Sequence, residues 1–243
     1  MTDIIARSAI LAALLFAAAA WGKKMDAQAH IQGTVTNFAN EPLAGAEVLL
    51  KRDDFSDVAR AVADSQGNYS MQVQAGRYNA LCAVRDYQVK NLEFWAWDVQ
   101  AYGDVKIDCR VGGLELYGIH AWQPSGAAPS YLVYVRPMSL AKVTAAFMAA
   151  GSMEALGKLP VLDIAPELSS NDIEVTVDGE KVDVLQVNKV REAAGPNQYM
   201  YGYVIQTNLP RAKQTGEHSV FDIVLTDPKS GEKGEGCLFM NKQ

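Results

Sequence analysis

Residues 31–84 alternate apolar and polar side chains in short runs, each closed by Gly, Pro, Asn or Asp. A period of two, with no helical period between the runs, restricts such a stretch to short antiparallel strands. The first run places Ile31, Gly33 and Val35 on one side and Gln32, Thr34 and Thr36 on the other. Pro42 and Gly45 break it, and Val48 and Leu50 share a face of the next run. Asp64-Ser65-Gln66-Gly67-Asn68 reads as a tight corner in which Gly67 supplies the positive φ. Tyr69, Met71 and Val73 alternate behind the corner, and Tyr78, Ala80, Cys82 and Val84 do so after Gly76. Strands of this length and spacing predict a two-sheet sandwich.

Before this stretch lies an uncharged, Ala/Leu-rich run over residues 8–22, preceded by Arg7. Its length suits the apolar core of an export signal and is short for a membrane-spanning helix. Ala27-Gln28-Ala29 fits the small-x-small cleavage rule, so residues 1–29 are expected to be a signal peptide; cleavage after Ala20 or an uncleaved anchor are the alternatives. The protein is then expected to be periplasmic or secreted, with no membrane span once the signal is removed. Its net charge of −6 argues against backbone-binding to nucleic acid, which needs clustered Lys and Arg.

The pattern GTVTN…EPLAGAEVLL…ARAVADSQGNYSMQVQAGRYNALCAV resembles the carboxypeptidase regulatory-like family, whose members have a transthyretin-like β-sandwich. Its marks are G-x-V at Gly33 and Val35, P-L-x-G-A-x-V from Pro42 to Val48, D-x-x-G-x-Y from Asp64 to Tyr69, and G-x-Y at Gly76 and Tyr78. The resemblance covers residues 31–84 and extends toward 111. It implies a non-catalytic accessory domain of an exported protein, and it carries no catalytic residue over to this chain.

The following segment is aromatic: Tyr87, Phe94, Trp95, Trp97 and Tyr102. Alternation puts Phe94, Ala96 and Asp98 on one face and Trp95, Trp97 and Val99 on the other. The tryptophans form either a flat stacking platform for a ligand or a packing layer between sheets or domains. Gly112 and Gly113 mark the expected boundary between a first domain over residues 30–112 and a second over 113–243. The second part resumes strand patterning and reads as a further Ig-like sandwich. It holds one short helix around Val143, Phe147 and Ala150, which Gly151 would stop. Val177-Asp178-Gly179-Glu180 is a hairpin signal of the type I′ kind. The fold class is therefore all-β, a transthyretin-like sandwich followed by a second sandwich.

Three cysteines, Cys82, Cys109 and Cys237, allow at most one intramolecular bridge. Cys82 and Cys109 are the candidates for it; the other reading makes them small buried residues. His30, His120 and His218 are far apart, and no metal-ligand spacing, phosphate loop or nucleophile elbow occurs. The carboxylates Asp53, Asp54, Asp57 and Asp64 suggest either a cation loop or solvated turns. Alternation does not set Glu115 or Asp98 against a second carboxylate across a cleft, as a glycosidase requires.

The expectation is an exported, non-catalytic binding or scaffold protein acting in envelope assembly or protein docking. Its partner would be a protein or glycan of the cell envelope, with no metal and no cofactor. The alternative is a carbohydrate-binding module using Trp95, Trp97, Trp122, Tyr87 or Tyr102, which requires exposed, coplanar rings. An enzyme would need His120 or His218 in hydrogen-bonding reach of a carboxylate or serine.

Overall fold

The computed structural model describes residues 27–126, 129–212 and 216–241. The expected export signal lies outside them, apart from its last three residues; Gln28 and Ala29 already pair with Gln74 and Val73. Among the described residues no helix is long and apolar enough to cross a membrane.

Three β-sheets build the fold. The first joins β1 (Gln28–Thr36) to β4 (Asn68–Gln74) on one side and to the short β7 (Asp104–Lys106) and β8 (Cys109–Arg110) on the other. The second has eight strands. On one side stand β3 (Asp57–Val62), β2 (Glu47–Lys51), β5 (Gly76–Val84) and β6 (Phe94–Ala101). It continues into β16 (Lys233–Asn241), β15 (His218–Thr226), β11 (Ile173–Val177) and β12 (Glu180–Val182). The third runs β13 (Val184–Gly195), β14 (Gln198–Thr207), β10 (Tyr131–Ser139) and β9 (Leu114–Trp122).

The eight-stranded sheet is common to two sandwiches. Val48, Leu50, Leu81, Phe94 and Ala96 face the first sheet and form one core with Ile31, Val35 and Met71. Ala80, Cys82, Trp95 and Trp97 point from the same strands to the opposite face, into a core with Leu116, Ile119, Val133 and Ile223. The period of two thus serves both cores, because β5 and β6 are covered on each side. The join is a parallel pairing of β6 with β16, Trp95 opposite Gly236 and Trp97 opposite Leu238. A bidentate ion pair from Arg110 to Glu235, at 2.7 and 2.9 Å, fastens β8 to β16.

Gly112 and Gly113 join β8 of the first sheet to β9 of the third, and this connection is tightly packed. A Cβ on Gly112 would lie 2.2 Å from the Lys233 carbonyl oxygen, so only glycine admits this approach.

Two expectations need correction. Cys82 and Cys109 form no bridge, and all three cysteines are free, buried thiols. Cys82 faces the second core and Cys109 the first, so the sheet itself separates them. Val99 does not share the face of Trp95 and Trp97. Asp98 takes φ 55° and interrupts the alternation, turning Val99 and Ala101 to the first core.

The other local signals are realised. Asp178 and Gly179 both have positive φ, as a type I′ turn requires. Helix α1 (Leu140–Ala150) begins at Ser139, whose hydroxyl accepts from the Lys142 N–H. It ends at Gly151 in the left-handed region. A one-turn helix, α2 (Met153–Gly157), follows.

Candidate functional site

Trp95 and Trp97 are next-but-one neighbours on β6 and stack on each other, ring centroids 5.2 Å apart at 21°. The rings are near coplanar, as a stacking platform requires, but they are 5% and 6% exposed. Tyr117 of β9 stands edge-on to both, at 5.5 and 4.9 Å. Phe55, from the β2–β3 turn, stands edge-on beside it at 6.3 Å from each tryptophan. Of the two readings of these tryptophans, ligand platform or packing layer, the structure shows the packing layer. Burial against β9 wins because each indole removes a large apolar area from water while its N–H still finds an acceptor.

Those acceptors are in β9. Trp97 Nε1–H points to the Leu116 carbonyl at 3.5 Å and Trp95 Nε1–H donates to Glu115 Oε1 at 3.2 Å. Glu115 is 2% exposed, and its Oε2 is buried without a hydrogen-bond partner among the described residues. Burial, with the neighbouring Glu93 carboxylate, pushes the Glu115 carboxyl up to about 8. Burial also raises Glu93, and the phenol of Tyr87 to about 12 beside these two carboxyls. Tyr87 itself is exposed. Glu115 is enclosed beneath Trp95, and Asp98 is ion-paired with Arg77, so neither faces a second carboxylate across a cleft.

Trp122 and Tyr102 are exposed, and Tyr102 lines a cleft. This cleft of about 430 Å³ lies between the turn joining β6 to β7 and the ends of β15 and β16. Phe239 and His218, rings 5.6 Å apart, form part of its lining. Gln100 contributes its amide, held by Nε2–H to the Asp98 carbonyl at 2.9 Å.

The remaining candidates are spent on structure. Asp64 accepts from the backbone N–H groups of Gln66 and Asn68, and Asp54 from Ser56, the solvated-turn reading of these carboxylates. Asp53 pairs with Arg77 and Asp57 with Lys51. His30 Nε2 and Ser70 Oγ are 2.7 Å apart in an exposed hydrogen bond between β1 and β4.

Phe55, Tyr117 and Glu93 carry parts of these arrangements that sequence reasoning did not assign. Only Phe55 had a local signal, a bulky apolar residue in the acidic turn Asp53-Asp54-Phe55-Ser56.

No protein-family model matches the chain, and no curated protein matches it. Among solved structures it is similar to a DUF3823 family protein from Bacteroides ovatus at 10% identity and TM-score 0.28, covering 87% of this chain and 98% of that one. A DUF3823 family protein from Parabacteroides merdae matches at 10% identity and TM-score 0.27, over 89% and 100% of the two chains. The major pilin subunit BcpA of Bacillus cereus matches at 11% and 0.28, over 88% and 69%. Likenesses this slight say nothing of what the chain binds.

Proposed function

We propose that the protein is an exported, non-catalytic binding protein of the cell envelope, with a first sandwich of the carboxypeptidase regulatory-like kind and a second that docks a protein partner. The observation that carries this reading is helix α1. None of its residues is buried, and Phe147, Met148 and, beyond it, Met153 are exposed. From Val143 to Met153 there is no charged side chain. A surface helix normally hides its apolar stripe, and an uncovered one of this kind marks an interaction surface. Methionine suits it, since its flexible thioether adapts to a partner's shape. The partner would present an equally uncharged apolar segment.

The test is a photo-crosslinking residue at position 148 of the full chain in its host cell, with position 60 as control. A discrete adduct at 148, absent at 60 and lost with Phe147→Ser, supports docking at this helix. Equal labelling at both positions, or none at 148, removes it.

A second reading, glycan binding, is favoured by Tyr102, 68% exposed at the edge of the cleft shared by the two sandwiches. A glycan array probed with the full chain tests it.

A further inference from the structure

We infer that the cleft beside Tyr102 is a binding site for a neutral sugar ring, with Tyr102 as the face on which the ring stacks. The inference rests on the glycan reading and gives it a location and a ligand class.

The cleft belongs to neither sandwich alone. Gln100 and Tyr102 come from the end of β6 and the turn after it, while Glu217 and His218 open β15 and Asn241 closes β16. The parallel pairing of β6 with β16 brings them together. Its volume of about 430 Å³ falls within the range of small-ligand sites.

The chemistry of the lining narrows the ligand. Lys106, the cation on the rim, is already paired with Asp108 at 2.6 Å, so an anionic ligand finds no unpaired lysine there. Asp104 and Glu217 would repel an anion further. A cationic ligand of the quaternary ammonium type is held by a closed cage of rings, whereas Tyr102 is a single ring open on one side. What remains suits hydroxyls, which both donate and accept. The amides of Gln100 and Asn241 do the same, the carboxylates accept, and the His218 imidazole offers either role. A pyranose has an apolar C–H face for the tyrosine and an equatorial ring of hydroxyls for these groups. Tyr102 fits this use in being a large aromatic left uncovered while Phe239, in the same cleft, is buried.

Isothermal titration calorimetry of the full chain with cellohexaose, chitohexaose and mannohexaose tests the site. The expected result is saturable binding of at least one of the three, weakened about tenfold or more in Tyr102→Ala, the scale of one lost aromatic contact. Trp122→Ala, which is outside the cleft, leaves that binding unchanged. Thermal melts verify the fold of each variant, and Asn241→Ala decides the question if Tyr102→Ala does not fold. Binding lost in Trp122→Ala and kept in Tyr102→Ala overturns this site while the glycan reading stands. No binding of any hexasaccharide overturns both.

Discussion

Phe55 and Tyr117 stack with ring centroids 6.3 Å apart and planes within 15°, and together they close the outer side of the Trp95–Trp97 pair. One ring comes from the β2–β3 turn and the other from β9, so the contact fastens one edge of the eight-stranded sheet to the third sheet over the tryptophans. Phe55 makes it from an unfavourable backbone, φ 61°, in the left-handed region where glycine is the usual residue.

Because ring and backbone act in opposite directions, two substitutions at Phe55 separate them. Phe55→Ala loses the ring and keeps the strain, whereas Phe55→Gly loses both. Urea unfolding is expected to find Phe55→Ala less stable than Phe55→Gly by about 1 kcal/mol, the scale of the left-handed penalty. Acrylamide quenching of tryptophan fluorescence should rise in both. Equal stability of the two variants would show that the turn relaxes without cost.

Glu115 makes stability fall as pH rises. Its folded carboxyl titrates near 8, above the ordinary carboxyl value of 4.5, so the folded state holds a proton that the unfolded chain releases. The contribution is fully present below about pH 4.5 and is lost as pH rises through about 8, with a slope of at most ~1.4 kcal/mol per pH unit between. Lys51, Tyr117 and Arg136 also act on this cluster, and Glu93 and Asp222 are raised by burial and add in the same direction. Melting temperature is therefore expected to drop between pH 5 and 8.5, and to drop less in Glu115→Gln. The same profile in that variant and in the wild type would contradict this account of Glu115.

The three thiols should be inert in the folded protein. Burial raises each of them, so the reactive thiolate is suppressed and access is closed. Ellman's reagent is expected to label none of them in buffer and all three in guanidinium, with no change of melting temperature on adding a reductant. Fewer than three thiols in denaturant without reductant would indicate a bridge.

Gly33 lies where β1 passes Ile107, and a Cβ there would sit 1.9 Å from the Ile107 carbonyl oxygen. That oxygen is fixed, since it accepts from the Tyr69 hydroxyl at 2.7 Å. Gly33→Ala is expected to cost about 3 kcal/mol or more, the upper range of overpacking. Gly76→Ala, with nothing within 4 Å, should stay within ~0.5 kcal/mol of wild type. The two midpoints in urea, measured side by side, check this.

Much of this was written locally. The corner at Asp64 closes as its Asx-turn chemistry dictates, Gly151 ends α1 in the left-handed conformation, and alternation grouped Ile31 with Val35, and Met71 with Tyr69 and Val73, on faces that are buried. The site was legible only in fragments. Tyr102 was visible as an aromatic residue at a turn, but nothing near it in sequence announced His218 or Glu217. Trp95 and Trp97 were visible as a same-face pair, and of the two readings of that pair the packing layer is the one the structure realises.

The chain's own sequence determined the strands, their turns and the two faces of β5 and of β6 as far as Trp97, because these follow from a period of two and from the φ preferences of Gly and Asp within a few residues. Only the tertiary structure decided what each face meets. The pairing of β6 with β16, the cover that Tyr117 and Phe55 place over the tryptophans, and the cleft beside Tyr102 all join residues far apart in the chain. Alternation marks a side as apolar without naming the sheet that will bury it. That choice falls to the total area removed from water when both cores close on one sheet, a sum over the whole molecule with no counterpart in any single stretch.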